Sequence, residues 1–319
     1  MIVGGAALLA ILVMRNDPHA LLDTLRRLSW RILLVLVFPF PLVNLLDTLG
    51  WRFAFRRDRV PLRTLYFARL AGEAVNVTTP TASVGGEAVK AWLVRRHVSV
   101  ETATSSVIVA KTTITIAQGL LLVVGIVCAW WALPHDSAVL RGMQWLLLVE
   151  VVAVGLFVAA QMGGLFAGGG RLLKRFGMMA PESGGLTRLD DSLSAFYRGQ
   201  PRRLALSIGF HFLGWLTNAL ETWFILGLLG IDVSFLGAVV IEAFSTAIRF
   251  ATFMVPGSLG ALEGGHVAIF VALGLTGTVG LSYSLVRRIR EATWVGIGFL
   301  ALVLLRSGAA AVPVPTVEG

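Results

Sequence analysis

The sequence predicts an all-α, polytopic integral membrane protein with about seven or eight membrane helices and two re-entrant or broken segments. Of its 319 residues, 56% are hydrophobic and only 14% are charged, and the mean hydropathy is +0.80, whereas soluble domains carry about 25% charged residues. Long stretches without Asp, Glu, Lys or Arg are near or above the roughly 17–25 residues that a helix needs to cross the hydrocarbon; they are Thr112–His135, Val151–Gly170, Leu204–Leu220 and Gly264–Val286. These stretches are continuous rather than alternating, so helices are favoured over a β-barrel.

The positive charge is distributed as in a membrane protein. The net charge is +9, but Arg and Lys cluster in short segments beside the apolar runs, which is the positive-inside pattern. Anionic lipid headgroups are therefore the predicted partner, and nucleic acid is not. Cys128 is the only cysteine, which excludes an intramolecular disulfide and a cysteine-based metal site. No metal and no cofactor are predicted.

The N-terminal region is predicted to lead into the first full span. Ile2–Met14 is apolar but short, and it lacks the charge and cleavage site of a signal peptide, so we interpret it as a truncated or partly interfacial helix. Asn16–Trp30 has the leucine and arginine spacing of an amphipathic interfacial helix. Ile32–Gly50 is the first full span, with a kink expected at Pro39 and Pro41, and an arginine cluster follows it.

The segment near residues 65–88 is predicted to be re-entrant. Its helical part runs into Pro80, then into Gly85, Gly86 and Glu87. Clusters of basic residues flank the segment on both sides and should lie on the same, cytoplasmic, side of the membrane. The chain between them must therefore enter the membrane and return, with a break at Pro80.

The rest of the chain is predicted to hold further spans, a cytoplasmic loop and a second break. The spans and the loop are Thr102–Leu133, Gln144–Gly164, the loop 168–203 with seven Lys or Arg residues, Leu204–Gly230 and Phe235–Val255. The second re-entrant or broken segment lies near residues 250–275. Residues 1–308 are thus predicted to form a single transmembrane domain, and residues 309–319 a disordered tail.

The two broken segments have matching spacing. In each, a proline lies seven residues after a charged residue and seven before a glutamate, with glycines nearby: Glu73, Pro80 and Glu87 in the first, and Arg249, Pro256 and Glu263 with Gly257 and Gly260 in the second. Paired Gly/Pro interruptions in two halves of a chain point to a transporter-type site at a repeat interface.

Charges within the predicted spans need a reason, because each costs roughly 2.5–3.5 kcal/mol at the bilayer centre on insertion scales. Helical spacing groups Glu242, Ser245 and Arg249 on one face and His211, Asn218 and Glu221 on another, and it predicts i,i+4 pairs of Arg69 with Glu73 and of Arg287 with Glu291. Structural pairing between helices is the alternative for any one of these groups, whereas the whole set favours a functional polar cavity. Glu150 is expected nearer the outer surface.

Signals for an enzyme are weak. His97, His211 and His266 share no metal-ligand spacing, and the glycines of 163–170 are not followed by a strand–helix unit that could bind a nucleotide. The serines near the breaks have no histidine close in sequence, although a dyad assembled from distant helices stays open. No catalytic residue is predicted.

Two motifs resemble a known family. Residues 76–80 read Asn-Val-Thr-Thr-Pro, Gly-Gly-Glu follows at 85–87 and Lys-Ala-Trp-Leu-Val-Arg-Arg at 90–96, and residues 253–265 read Phe-Met-Val-Pro-Gly-Ser-Leu-Gly-Ala-Leu-Glu-Gly-Gly. Together they resemble the membrane domain of lysylphosphatidylglycerol synthases, a flippase-like (UPF0104-like) family. The second motif is most similar to the hopanoid-biosynthesis branch, HpnL. The similarity covers nearly the whole chain, and Lys111 stands where relatives often carry Arg.

The resemblance implies lipid handling without aminoacylation, because the cytosolic transfer domain of the two-domain relatives is not part of this sequence. We therefore expect a multi-pass lipid translocase or lipid-presenting protein of the bacterial inner membrane. Its expected partners are anionic or envelope-precursor membrane lipids and, further, lipid-biosynthesis enzymes.

The expected headgroup site lies in a cavity shaped by the two breaks. Arg249 is expected to contact phosphate, and the helix N-termini after Pro80 and Pro256 are expected to offer N–H groups to it. The other expected participants are the carboxylates Glu73, Glu87, Glu242 and Glu263, the glycines Gly85, Gly86, Gly257 and Gly260, and Lys90, with Arg95 and Arg96 as a cytoplasmic basic patch. The alternatives are an accessory subunit of a lipid-biosynthesis complex and a membrane-embedded transferase for a polyprenyl or hopanoid lipid, with Glu87 or Glu263 as its base.

Overall fold

A computed structural model of the chain describes residues 29–57, 60–79, 81, 84–164, 168 and 184–310. Several sequence-based expectations lie outside these residues. They are the interfacial helices expected before residue 29, the break at Pro80 itself, much of the loop 168–203, and the tail after residue 310.

The described residues form α-helices and two short 3₁₀ turns, Ser29–Arg31 and Pro256–Ser258, and contain no β-strand, which confirms the all-α prediction. The helices, numbered here in chain order, are α1 (Ile32–Val37), α2 (Phe40–Phe53), α3 (Leu62–Thr78), α4 (Gly85–Val94), α5 (Val100–Ala132), α6 (Ala138–Met162), α7 (Gly184–Gly199), α8 (Pro201–Leu228), α9 (Phe235–Ala251), α10 (Ala261–Ala272) and α11 (Gly277–Ala310). The kink expected near Pro39 is an interruption between α1 and α2, at a cis peptide bond between Phe38 and Pro39.

Three helical stretches of the described chain are long and apolar enough to cross a membrane: α1 with α2, α5, and α6. The count of seven or eight membrane helices stays a prediction. The other long helices, α8 and α11, carry charged residues inside the bundle, among them Glu221 and Arg287. These charges lower the mean hydropathy by which a membrane span is recognised.

Side-chain caps fix where some helices begin. The Ser99 hydroxyl accepts a hydrogen bond from the Thr102 N–H at the start of α5, and the Ser234 hydroxyl accepts one from the Gly237 N–H at the start of α9. Serine favours this position because its side chain satisfies an N–H group that has no partner within the helix.

Two apolar clusters form opposite ends of the bundle. The α7-side cluster joins Trp51 of α2, Leu93 of α4 and Val107 of α5 to Leu193 and Phe196 of α7. The far cluster joins the other ends of the same long helices, and it includes Val35, Leu122, Leu133, Leu140, Ile225 and Phe270. Several buried charged residues, among them Asp47, Glu221, Glu242 and Arg287, lie between these two apolar layers.

The helices break at both predicted segments. α3 ends at Thr78 and α4 begins at Gly85, while α9 ends at Ala251 and α10 begins at Ala261. Gly257 and Gly260 have φ of 56° and 80°, in the left-handed region that favours glycine. These two glycines therefore shape the second break through their backbone.

Helices α3 and α4 approach closely at Gly72 and Gly86. A Cβ atom added at Gly72 would lie 2.7 Å from the carbonyl oxygen of Gly86, and one added at Gly86 would overlap the carbonyl oxygen of Gly72. Glycine at both positions lets the two backbones touch. Gly86, expected in the headgroup site, thus has a packing role.

We predict that Gly86→Ala destabilises the protein by about 1–3 kcal/mol, because the new methyl group forces α3 and α4 apart. Gly155→Ala in α6 is the matched control, since a Cβ atom there meets nothing within 4 Å. Thermal unfolding in detergent measures the difference. Equal melting temperatures for the two variants would contradict the packing role of Gly86.

Candidate functional site

A cavity of about 610 Å³ opens in the middle of the bundle, between the two apolar clusters. Residues of α2, α3, α5, α6, α8, α9 and α11 line it, together with Pro256–Ser258 of the second break. Among the residues expected in the site, Glu73, Arg249, Pro256 and Gly257 belong to this lining. The volume lies within the range of about 300–1,000 Å³ that is usual for small-molecule sites.

The described lining carries more positive than negative side chains. The basic residues are Arg69, Lys111, Arg249, Arg287 and Arg290, and the acidic residues are Asp47, Glu73 and Glu291. Buried donor atoms without a hydrogen-bond partner lie on Asn44, Arg69 and Arg287 of this lining, while Arg290 lies 2.9 Å from Glu221. A ligand rich in acceptor oxygens and negative charge would suit the positive lining.

Lys111 and Arg249 are the least tightly paired cations of the lining. The Lys111 ammonium lies 3.9 Å from the nearest carboxylate oxygen, on Glu87, and 45% of its side chain is exposed. The Arg249 guanidinium lies 3.6 Å from Glu291 and is 28% exposed. Both distances exceed those of a charge-assisted hydrogen bond, about 2.7–2.9 Å. These two cations can therefore bind an anion without first breaking a strong internal pair.

A network of charges joins the first break to the cavity. Lys90 is buried, and its ammonium lies 3.0 Å from both Glu73 and Glu87. The Asn76 side chain accepts a hydrogen bond from the Gly86 N–H and donates one to Glu87. A small side cavity of about 40 Å³ lies beside this network and shares Glu73 with the main cavity. Glu73 is the exposed carboxylate of the network, at 42% of its side chain.

Asp47 anchors the network to α2 and α8. Arg69 donates a hydrogen bond of 2.5 Å to one Asp47 oxygen, and Nδ1 of the buried His211 lies 2.9 Å from the other. The predicted pair of Arg69 with Glu73 is longer, at 3.9 Å. Asp47 is therefore the main partner of Arg69.

A second set of charges lies around α11. Arg287 donates to both oxygens of Glu242, at 2.5 and 3.3 Å, and to the hydroxyl of Tyr283. The predicted i,i+4 pair of Arg287 with Glu291 is wrong, because Glu242 on the adjacent α9 offers Arg287 both carboxylate oxygens. Glu291 instead pairs with Arg288 at 2.5 Å and, loosely, with Arg249.

Glu263 caps a helix and lies outside the cavity lining. One of its oxygens accepts the Gly260 N–H at 2.7 Å, and the other accepts from Arg288 at 2.6 Å. At the start of α4 the Gly86 N–H is likewise taken by Asn76. At each of these two helix starts, one N–H group is thus bound within the chain. Glu242 also lies outside the lining and is 1% exposed.

The basic residues after the first break divide into two groups. Lys90 is buried between its two glutamates, whereas Arg95 and Arg96 are exposed beyond the end of α4. Arg95 lies over the Trp92 ring, and Arg96 donates to the Leu305 carbonyl at the end of α11. Lys90 therefore belongs to the charge network, apart from the exposed patch formed by Arg95 and Arg96.

His211, His266 and Glu150 are buried. Glu150 is 2% exposed and accepts from Gln118, and its position relative to the outer surface of the membrane stays a prediction. His266 lies 2.8 Å from Ser245 and 2.6 Å from Ser284, but none of these three residues lines the cavity. The described residues contain no group of three or more His, Cys, Asp or Glu side chains able to hold a metal ion.

Sequence reasoning missed several lining residues. Asp47, Asn44, Arg290 and Gln118 were not expected in the site, and Lys111 was noted only as a departure from the family pattern. A polar residue inside an apolar run was the available signal for Asp47 and Asn44. The periodicity of one helix does not show which of its faces meets a neighbour.

Comparison with known proteins shows similarity to one family of membrane proteins. A family model described as "Lysylphosphatidylglycerol synthase TM region" matches residues 1–301. A "UPF0104 membrane protein" of Methanothermobacter thermautotrophicus is 26% identical over 317 residues, covering 91% of this chain and 89% of that protein. No solved structure matches the chain.

We predict that Glu242→Gln lowers stability by about 3–5 kcal/mol, because it leaves Arg287 buried without its counter-charge. Lys111→Gln should change stability by only about 0–1 kcal/mol, since Lys111 is half-exposed and loosely paired. Thermal unfolding and the yield of monodisperse protein measure both effects. A stable Glu242→Gln protein would contradict the structural role of this pair.

Proposed function

The chain belongs to the family of lysylphosphatidylglycerol synthase transmembrane regions, and from this membership we propose that it moves or presents a phosphate-bearing lipid headgroup in its central cavity. The observation that carries the proposal is the excess of cationic side chains in the lining, with Lys111 and Arg249 loosely paired and partly exposed. Phosphate oxygens are the acceptors that such cations bind best.

Lys111 and Arg249 contribute differently to this site. The guanidinium of Arg249 can donate two parallel hydrogen bonds to a phosphate group, whereas the ammonium of Lys111 acts as a compact charge. Glu73, exposed in the same cavity, is available to an amine of the headgroup or to a proton. The site therefore suits an anionic or zwitterionic phospholipid.

We place the α7-side end of the bundle in the cytoplasm of a bacterial inner membrane. Basic residues concentrate at that end: Arg52, Arg56, Arg57, Arg63, Arg95, Arg96, Arg188, Arg198, Arg202 and Arg203. Such clusters beside membrane helices are typical of cytoplasmic segments. They also attract anionic lipid to the mouth of the protein. A role in hopanoid or other envelope-lipid biosynthesis follows only from the similarity of residues 253–265 to the HpnL branch.

The contacts favour lipid movement over group transfer. A transferase needs a carboxylate with a free oxygen that faces its substrate. Glu263 has both oxygens engaged, and Glu87, which accepts from Lys90 and Asn76 through one oxygen, Oε1, lies outside the lining of the main cavity. Glu73, the exposed carboxylate of the lining, is paired with Lys90 at 3.0 Å.

We predict that Lys111→Gln and Arg249→Gln each slow lipid movement at least tenfold, a loss of about 1.4 kcal/mol or more in transition-state binding. The measurement follows phosphatidylglycerol with a fluorescent acyl chain across proteoliposomes of phosphatidylcholine and phosphatidylglycerol. It is run with and without a pH gradient, and a dependence on the gradient that Glu73→Gln abolishes would identify proton coupling.

Arg188→Gln is the matched control, because Arg188 is 66% exposed on α7 and pairs only with Glu101 among the described contacts. It should leave movement unchanged. Folded wild-type protein that moves no lipid under any gradient would contradict the translocase proposal. A lipid product of new mass, formed with a cytosolic donor, would favour the transferase instead.

A further inference from the structure

The two halves of the chain share more than their breaks. Residues 44–48 read Asn-Leu-Leu-Asp-Thr, and residues 218–222, located 174 residues later, read Asn-Ala-Leu-Glu-Thr. Lys111 and Arg287 are separated by 176 residues, as are Pro80 and Pro256. The offset is thus nearly constant from α2 to α5.

The helix lengths repeat with the sequence. α3 and α9 each have 17 residues, α4 and α10 have 10 and 12, and α5 and α11 have 33 and 34. In both halves a helix, a break, a short helix and a long helix follow one another in that order. The short helix carries a glutamate in its first turn each time, Glu87 in α4 and Glu263 in α10.

The two helix hairpins enter the bundle from opposite ends. The start of α3 and the end of α4 lie in the α7-side cluster, through Leu65, Leu93 and Val94. The chain just before α9 and just after α10 lies against the far cluster, through Val233 and Leu275. The second half is therefore oriented opposite to the first.

Helices α2 and α8 are equivalents that pack against each other in antiparallel orientation. Asp47 contacts His211, and Phe38, just before α2, contacts Phe224. Asn44 lies three residues before Asp47 and six after Phe38. Because the helices are antiparallel, the first contact places Asn44 opposite residue 214 and the second opposite residue 218. Asn44 is thus within about one helical turn of its counterpart, Asn218. An element that contacts its own equivalent lies on the symmetry axis.

We propose that the chain consists of two repeats of inverted topology, and that a phosphate-bearing headgroup is held where their pseudo-twofold axis crosses the cavity, between Asn44 and Asn218. This deepens the proposed function and rests on it for the nature of the ligand. Both asparagines line the cavity. Asn44 is 3% exposed, and its Nδ2 has no hydrogen-bond partner.

The carboxamides suit this position because they are neutral and carry both donors and acceptors. Two amide groups on the axis can bind the same headgroup oxygens when it arrives from either face. Lys111 and Arg249 attract the charge from one side of the lining, while the amides hold the headgroup at its centre. Sites of this kind, between inverted repeats, allow a carrier to expose one ligand position to each face in turn.

Cysteine labelling tests the inverted repeat independently of any lipid movement. In a Cys128→Ser background, His97→Cys follows α4 and Thr276→Cys follows α10, both at exposed positions. A membrane-impermeant thiol reagent, applied to whole cells and to inverted vesicles, should label the two cysteines from opposite faces. Asp191→Cys on α7 should be labelled from the same face as His97→Cys. Labelling of His97→Cys and Thr276→Cys from the same face would overturn the inverted repeat.

Lipid movement in proteoliposomes tests the axial site. Asn44→Leu and Asn218→Leu should each slow movement of the fluorescent phosphatidylglycerol about tenfold, equally in the inward and outward directions, with unchanged melting temperature. Thr217→Leu removes a polar side chain one residue away that does not line the cavity, and it should have no effect. Unaltered movement in both asparagine variants would overturn the axial site. Wild-type protein that moves no lipid would instead refute the proposed function, while the labelling result stands by itself.

Discussion

A charged side chain in the apolar middle of a helix bundle needs a partner of opposite charge, and this requirement determines which helices of this protein lie together. Glu242 of α9 pairs with Arg287 of α11, and Glu221 of α8 lies 2.9 Å from Arg290, which is also on α11. Asp47 of α2 joins Arg69 of α3 to α8 through His211. The polar layer between the two apolar clusters is thus also what fixes the arrangement of the helices.

The same requirement separates structural charges from available ones. Glu242, Glu263 and Lys90 have the residue types of a ligand site, yet their contacts are completed within the protein. Lys111 and Arg249 differ from them in exposure and in the length of their ion pairs, not in residue type. Exposure toward the cavity is therefore the property by which the candidate site is recognised.

Much of the fold could be predicted from the sequence because glycine, proline and apolar runs act locally. The all-α class followed from the uncharged stretches, the first break from Pro80 and Gly85, and the second break from Pro256 and Gly257. Partners across helices could not be predicted in this way. Arg287 and Glu291 have ideal i,i+4 spacing, but the carboxylate of Glu242 binds Arg287 with two hydrogen bonds. Asn44 and Asp47 escaped notice because a single polar residue in an apolar helix does not reveal which helix it faces.

The length of α5 and α11 has a consequence for how the protein sits in a bilayer. A helix of 33 residues is about 50 Å long at 1.5 Å per residue, whereas the hydrocarbon layer is about 30 Å thick. Contacts hold the excess turns on one side, since Glu101 at the start of α5 pairs with Arg188, and Leu305 near the end of α11 binds Arg96. α5, which is apolar enough to cross a membrane, is therefore longer than the hydrocarbon is thick. A thicker bilayer would be matched by immersing more of α5, without deforming the polar layer in the middle of the bundle.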